Sequence, residues 1–148
     1  MRWVILILTF ASFKAFSQPA EEAVKKPIML LFDGMRKSDS LMLKAAFAPD
    51  AILQTVTKNK EGKVKVHQEK IQEFITAVSQ PHSEVYDERI SFDMIRIDSN
   101  LATVWTPYKF YVGEKYSHCG VNSFQLVRLN GEWKIQYLID TRRKENCP

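Results

Sequence analysis

Helical periodicity is confined to the first half of this 148-residue chain and strand-like runs fill everything after His82. That order, with no strand–helix–strand alternation, excludes a parallel doubly wound sheet and predicts an α+β domain. Four runs, Val85 to Ile97, Leu101 to Val112, Lys115 to Leu129 and Glu132 to Thr141, are rich in β-branched and aromatic residues. Asp98-Ser99-Asn100, Gly113-Glu114 and Asn130-Gly131 separate them, and Asn-Gly is the strongest hairpin signal of the three.

Upstream, Val24, Ile28, Leu31 and Met35 recur at helical spacing beside Phe32, which predicts an amphipathic helix over about Glu22 to Lys37, with Pro27 weakening its first turns. Asp39 is placed to cap a short second helix from Leu41 to Phe47, ended by Pro49-Asp50. Ala51 to Thr57 and Lys63 to Val66 read as a small hairpin around Glu61-Gly62. A third helix is predicted from about Gln68, with Ile71, Phe74, Ile75 and Val78 on one face and Pro81 beyond its end.

Two-residue turns at Gly113-Glu114 and Asn130-Gly131 would set His118 opposite Lys109, Asn122 opposite Trp105, and Phe124 opposite both Thr103 and Tyr137. One face then collects Ile90, Phe92, Met94, Leu101, Trp105, Tyr111, Phe124, Leu126, Trp133, Ile135, Tyr137 and Ile139, and packs on the helices. The other mixes Asp93, Ser117, Gln125, Lys134, Gln136 and Asp140 with Val104, Tyr108, Phe110, Cys119, Val121, Val127 and Leu138. A half-apolar sheet face of this kind predicts a homodimer formed through it.

The first seventeen residues read as an export signal: Arg2 ahead of an apolar run from Trp3 to Ala11, broken only by Thr9, then Ala15-Phe16-Ser17 before Gln18. The run is too short to span a bilayer, so no stable membrane insertion is expected after its removal. A periplasmic or secreted bacterial protein, with one domain over 18–148, is the expectation. Losing Arg2 and Lys14 from 21 basic residues leaves 19 against 17 acidic, lowering the formal charge from +4 to +2. Lys58, Lys60, Lys63 and Lys65 surround Glu61 and Gly62 and read as a solvated hairpin; nucleic acid is not an expected partner. In an oxidising compartment Cys119 and Cys147 could pair, tying down the tail, or stand as two independent thiols.

The strings Leu31-Phe32-Asp33-Gly34-Met35-Arg36-Lys37-Ser38-Asp39, Phe47-Ala48-Pro49-Asp50-Ala51-Ile52-Leu53 and Phe124-Gln125-Leu126-Val127-Arg128-Leu129-Asn130-Gly131-Glu132-Trp133-Lys134-Ile135 resemble the nuclear transport factor 2-like superfamily. The likeness covers nearly the whole chain after the signal and is nearest to exported bacterial members grouped with polyketide-cyclase-like and lumazine-binding domains. It implies N-terminal helices packed in the concave face of a strongly curved antiparallel sheet, a cone-shaped, cystatin-like roll. Activity does not follow, because the superfamily includes isomerases, dehydratases, epoxide hydrolases, carriers and inert partners.

Enzymes of this fold use a buried carboxylate or His as base. On the predicted faces Asp87, Asp93 and Asp140 point outward and only Glu88 shares the inward parity. Phe32, Met35, Phe74, Trp105, Lys109, His118, Asn122, Phe124 and Tyr137 are therefore the expected lining of an apolar pocket for a small apolar or aromatic molecule, without catalysis. An alternative is an isomerase, dehydratase or cyclase with His118 as base and Asn122 or Tyr137 polarising a carbonyl. A third is an interaction domain docking another envelope protein. His67, His82 and His118 lack metal-ligand spacing, and there is no glycine-rich phosphate loop, so neither metal nor cofactor is expected.

Overall fold

A computed structural model describes residues 17–148; the export signal read at the N-terminus falls outside them except for Ser17. Helix α1 (Ser17–Lys37) starts earlier than its periodicity predicts and continues through Pro27. Val24, Ile28, Leu31, Phe32 and Met35 form its buried stripe. The chain then turns at Ser38, where φ is +51°, and Asp39 caps α2 (Ser40–Ala46) by accepting from the Leu41 and Met42 amides. Strand β1 (Phe47–Lys58) begins before Pro49-Asp50, pairs antiparallel with β2 (Val64–Lys70), and α3 (Ile71–Ser79) follows.

The long run after His82 divides into β3 (Tyr86–Ile90) and β4 (Met94–Asp98), both antiparallel to β5 (Leu101–Val112). Strands β6 (Lys115–Leu129) and β7 (Glu132–Thr141) complete a curved seven-stranded sheet of order β2-β1-β7-β6-β5-β3, with β4 also on β5. The sheet is antiparallel except where β1 lies parallel to β7, a long-range pairing invisible to local patterning. The helices fill its inner face. Phe32 meets Phe124 edge to face with centroids 6.3 Å apart, and Leu126, Ile135, Val104 and Ala102 close the core beneath α1.

Two bulges correct the predicted faces. Both turns start in the expected register, Val112 opposite Lys115 and Leu129 opposite Glu132. Ser117 is then extra on β6, so Phe110 rather than Lys109 faces His118; Gln136 is extra on β7, so Leu138 rather than Tyr137 faces Phe124. Because side chains alternate along a strand, each extra residue transfers everything beyond it to the other face. Val104, Tyr108, Phe110, Leu138 and Asp140 therefore join the inner face, which Phe124, Leu126 and Ile135 already occupy. Trp105, Met94, Leu101, Lys109, Tyr137 and Ile139 move to the outer one. Trp105 is 40% exposed there.

Strand β6 is joined to the chain end. Cys119 and Cys147 form a disulfide across a separation of 28 residues, and Arg143 exchanges backbone hydrogen bonds with Cys119. Gly120 allows this approach: a Cβ there would lie 1.7 Å from the Thr141 carbonyl oxygen and 2.8 Å from the Tyr108 ring.

Candidate functional site

Where α1 and α3 leave the inner face of the sheet, a cleft opens as two adjoining chambers. The deep one, about 70 Å³, lies between Leu31, Phe32 and Met35 of α1, Phe74 of α3, and residues of β1, β3, β6 and β7. It has room for a group of a few heavy atoms. The outer one, about 310 Å³, is walled by Ala77, Val78, Tyr86, Phe110, Val112 and His118. Met35, Phe74, Glu69, Glu88 and Arg142 border both.

The floor is polar and tightly bonded. Glu88 sits on β3 opposite Phe110, which fixes its side chain inward. Its Oε1 accepts from Asn122 Nδ2 at 2.8 Å, and the same amide nitrogen lies 3.3 Å from Thr106 Oγ1. Asp140, directly opposite Asn122 on β7, accepts from Thr55 Oγ1 at 2.5 Å and from Arg142 Nε at 3.1 Å. The Tyr108 hydroxyl stands 3.1 Å from Asp140 Oδ2 and 2.9 Å from the Thr141 carbonyl, its one proton divided between them. Asn122, Thr106 and Asp140 are all buried, and each is satisfied.

Burial is the main force on the proton affinities here. It raises the Glu88 carboxyl to about 7; the Asn122 hydrogen bond opposes the rise, Asp140 adds to it and Arg142 opposes it. Glu88 therefore exchanges its proton near neutrality, where a solvated carboxyl would be ionised. Burial, then the Asp140 charge, push the Tyr108 phenol above its usual range, so it stays a donor. Burial and the Arg142 charge lower the His118 imidazole, favouring its neutral form. Among the described residues no group of three or more His, Cys, Asp or Glu is placed to hold a metal ion.

Five of the nine residues expected to line the pocket reach the cleft. Phe32, Met35, Phe74 and Asn122 border the deep chamber and His118 the outer one, in edge contact with Tyr108 at 5.8 Å and tilted against Phe110 at 4.9 Å. Phe124 is core beneath Phe32. Trp105, Lys109 and Tyr137 are on the outer face, removed by the two bulges; Tyr137 donates to Gln54 Oε1 there at 2.7 Å. Of the two groups expected to polarise a carbonyl beside His118, Tyr137 is therefore lost and Asn122 remains at the cleft. Pattern reading missed Asp140, Tyr108, Thr106, Thr55 and Arg142. The glycine within β6 was the one available signal, since a mid-strand glycine marks a close backbone approach.

A family model described as "Putative lumazine-binding" matches residues 19–137. The chain belongs to that family. Solved structures give this lumazine-binding-type domain the nuclear transport factor 2-like fold. A nuclear transport factor 2-like protein of unknown function from Shewanella baltica is 15% identical, with a TM-score of 0.62 over 89% of this chain and 99% of its own. A cystatin-like-fold protein of unknown function from Nostoc punctiforme is 15% identical, with a TM-score of 0.65 over 88% and 96%. The beta subunit of a "putative aromatic-ring-hydroxylating dioxygenase" from Novosphingobium aromaticivorans is 10% identical, with a TM-score of 0.70 over 86% and 92%. Identities this low carry the fold and nothing about chemistry. No curated protein sequence matches the chain.

Proposed function

We propose that this family member is an exported small-molecule-binding protein. Its ligand places an apolar or aromatic body in the outer chamber and a small polar end on the floor formed by Glu88, Asn122 and Arg142. The observation that carries this reading is the Glu88 carboxyl, bonded to Asn122 and belonging to a residue that borders both chambers. A half-buried carboxyl left at a cavity wall without a counter-charge costs stability, and a ligand able to bond it recovers part of that cost. The family description supports a small-molecule ligand. Among the described residues no helix is long and apolar enough to cross a membrane.

Native mass spectrometry of protein recovered from the envelope fraction, followed by thermal shifts across a metabolite library, tests the proposal. A ligand at a hundred times its Kd stabilises the fold by about 2.7 kcal/mol. No retained ligand together with no shift from any compound would sink it. The mass of the recovered protein also tests export, which predicts a chain beginning at Gln18.

An enzymatic reading is favoured by the same carboxyl, because a group titrating near neutrality can both take and give a proton. Glu88, rather than His118, is then the base, since the His118 environment lowers its proton affinity. Turnover undiminished by Glu88→Gln removes this version. The outer face, with Trp105, Met94 and Leu101 exposed, is the proposed homodimer surface, and sedimentation showing only monomer at micromolar concentration would reject it.

A further inference from the structure

We infer that the ligand is a cation, an aromatic or aliphatic amine whose ammonium group serves as the counter-ion that Glu88 lacks. This deepens the small-molecule reading and holds only if the cleft is the binding site. The charges facing Glu88 come from every surrounding element. Helix α1 offers Arg36, but its Nη1 reaches only the Glu88 backbone carbonyl, at 3.5 Å, while its guanidinium pairs with Asp33 and Asp87. Strand β2 contributes Glu69 at the rim, and β7 contributes Asp140. Arg142 is the cation bordering the chambers, and its Nε is bonded to Asp140. Tyr108 and His118 are uncharged in these surroundings.

Asp140 and Arg142 thus compensate one another, and the side chain of Glu88 has a neutral amide as its bonded partner, with no ion pair to it among the described residues. With Glu69 also bordering both chambers, the fixed charge of the cleft is negative whenever Glu88 is ionised. An anion is repelled, and an ammonium gains both a charge-assisted hydrogen bond and relief of that imbalance. The walls suit the same guest. Tyr86, Phe110 and His118 of the outer chamber form a run of rings with successive centroids 6.0 and 4.9 Å apart, offering aromatic surface to a cation and to the body carrying it. Where Glu88 is protonated, binding moves one proton: the carboxyl O–H bond breaks, the proton passes to solvent, and the carboxylate is left paired with the ammonium.

Benzylammonium, benzyl alcohol and benzoate, matched in shape and differing in charge, test this on the exported chain by NMR titration and calorimetry. At pH 8 the ammonium should bind about tenfold more tightly than the alcohol, and benzoate not at all. Between pH 8 and pH 6 its affinity should fall about tenfold, with proton release seen as a buffer-dependent heat. Glu88→Gln should abolish the preference for the ammonium over the alcohol. An alcohol or benzoate binding as well as the ammonium, with shifts at cleft residues, overturns the charge inference and leaves the small-molecule reading standing. No shift at the cleft from any of the three overturns both. Should Glu88→Gln fail to fold, the pH dependence of the wild-type preference decides alone, and a preference independent of pH overturns the inference.

Discussion

Replacing Glu88 by Gln removes a charge that the fold accommodates at a cost, and the size of that cost follows from its surroundings. Burial raises the carboxyl from its usual 4.5 to about 7 in the folded chain. Below pH 4.5 the group is protonated whether the chain is folded or unfolded, and it costs nothing. Between 4.5 and about 7 the folded state holds the proton more tightly than the unfolded one, so stability falls as the pH rises through this window. Above it the full cost is in place. Each tenfold change in proton affinity is worth ~1.4 kcal/mol, so the penalty at pH 8 is about 3 kcal/mol. Glutamine has nearly the same volume and keeps an oxygen to accept from Asn122. Glu88→Gln should therefore match the wild type near pH 4.5 and exceed it by about 3 kcal/mol at pH 8. Urea unfolding of both proteins across this range, disulfide intact, measures the difference, in which every other titrating group cancels. A difference that stays flat with pH, or a variant less stable than wild type at pH 8, would refute the claim that the fold desolvates this carboxylate.

Other substitutions test the frame that holds the site. Cys147→Ser opens a bridge spanning 28 residues and should lower stability by about 3 to 4 kcal/mol in urea; equal stability of oxidised and reduced wild type would contradict it. Gly120→Ala places a methyl against the Thr141 carbonyl and the Tyr108 ring and should cost about 3 kcal/mol, read as a lower Tm; a neutral result would mean the chain end is not packed on β6 as described. Phe124→Ala empties the space beneath Phe32 and should cost about 3 to 5 kcal/mol.

Local chemistry made much of the architecture legible from residue order. Asp39 caps α2 because a carboxylate at that position satisfies otherwise unpaired amides, and the apolar stripe of α1 is buried because its spacing puts those side chains on one face. Asn130-Gly131 turns with both residues at positive φ, +51° and +86°, the geometry this dipeptide favours, so β6 and β7 were locatable in advance. The three strings shared with the nuclear transport factor 2-like superfamily carried the fold for the same reason: each records a local requirement of this architecture.

The site was a different matter, because its membership depends on parity over ten or more residues. One extra residue at Ser117 exchanges Lys109 for Phe110 at the cleft, and one at Gln136 exchanges Tyr137 for Leu138 and brings Asp140 inside. No propensity marks either bulge. Glu88 kept its inward parity because the pairing onto β5 shifts by one residue between β3 and β4, from Ile90 opposite Tyr108 to Met94 opposite Trp105, and this cancels the transfer made at Ser117. Its significance appears only once Asn122, Asp140 and Arg142 surround it. Short-range interactions choose helices, strands and turns, so those are written residue by residue. Which carboxylate is buried, and beside what, is settled when β7 pairs in parallel with β1 and the disulfide draws the chain end onto β6, contacts between segments that no local pattern connects.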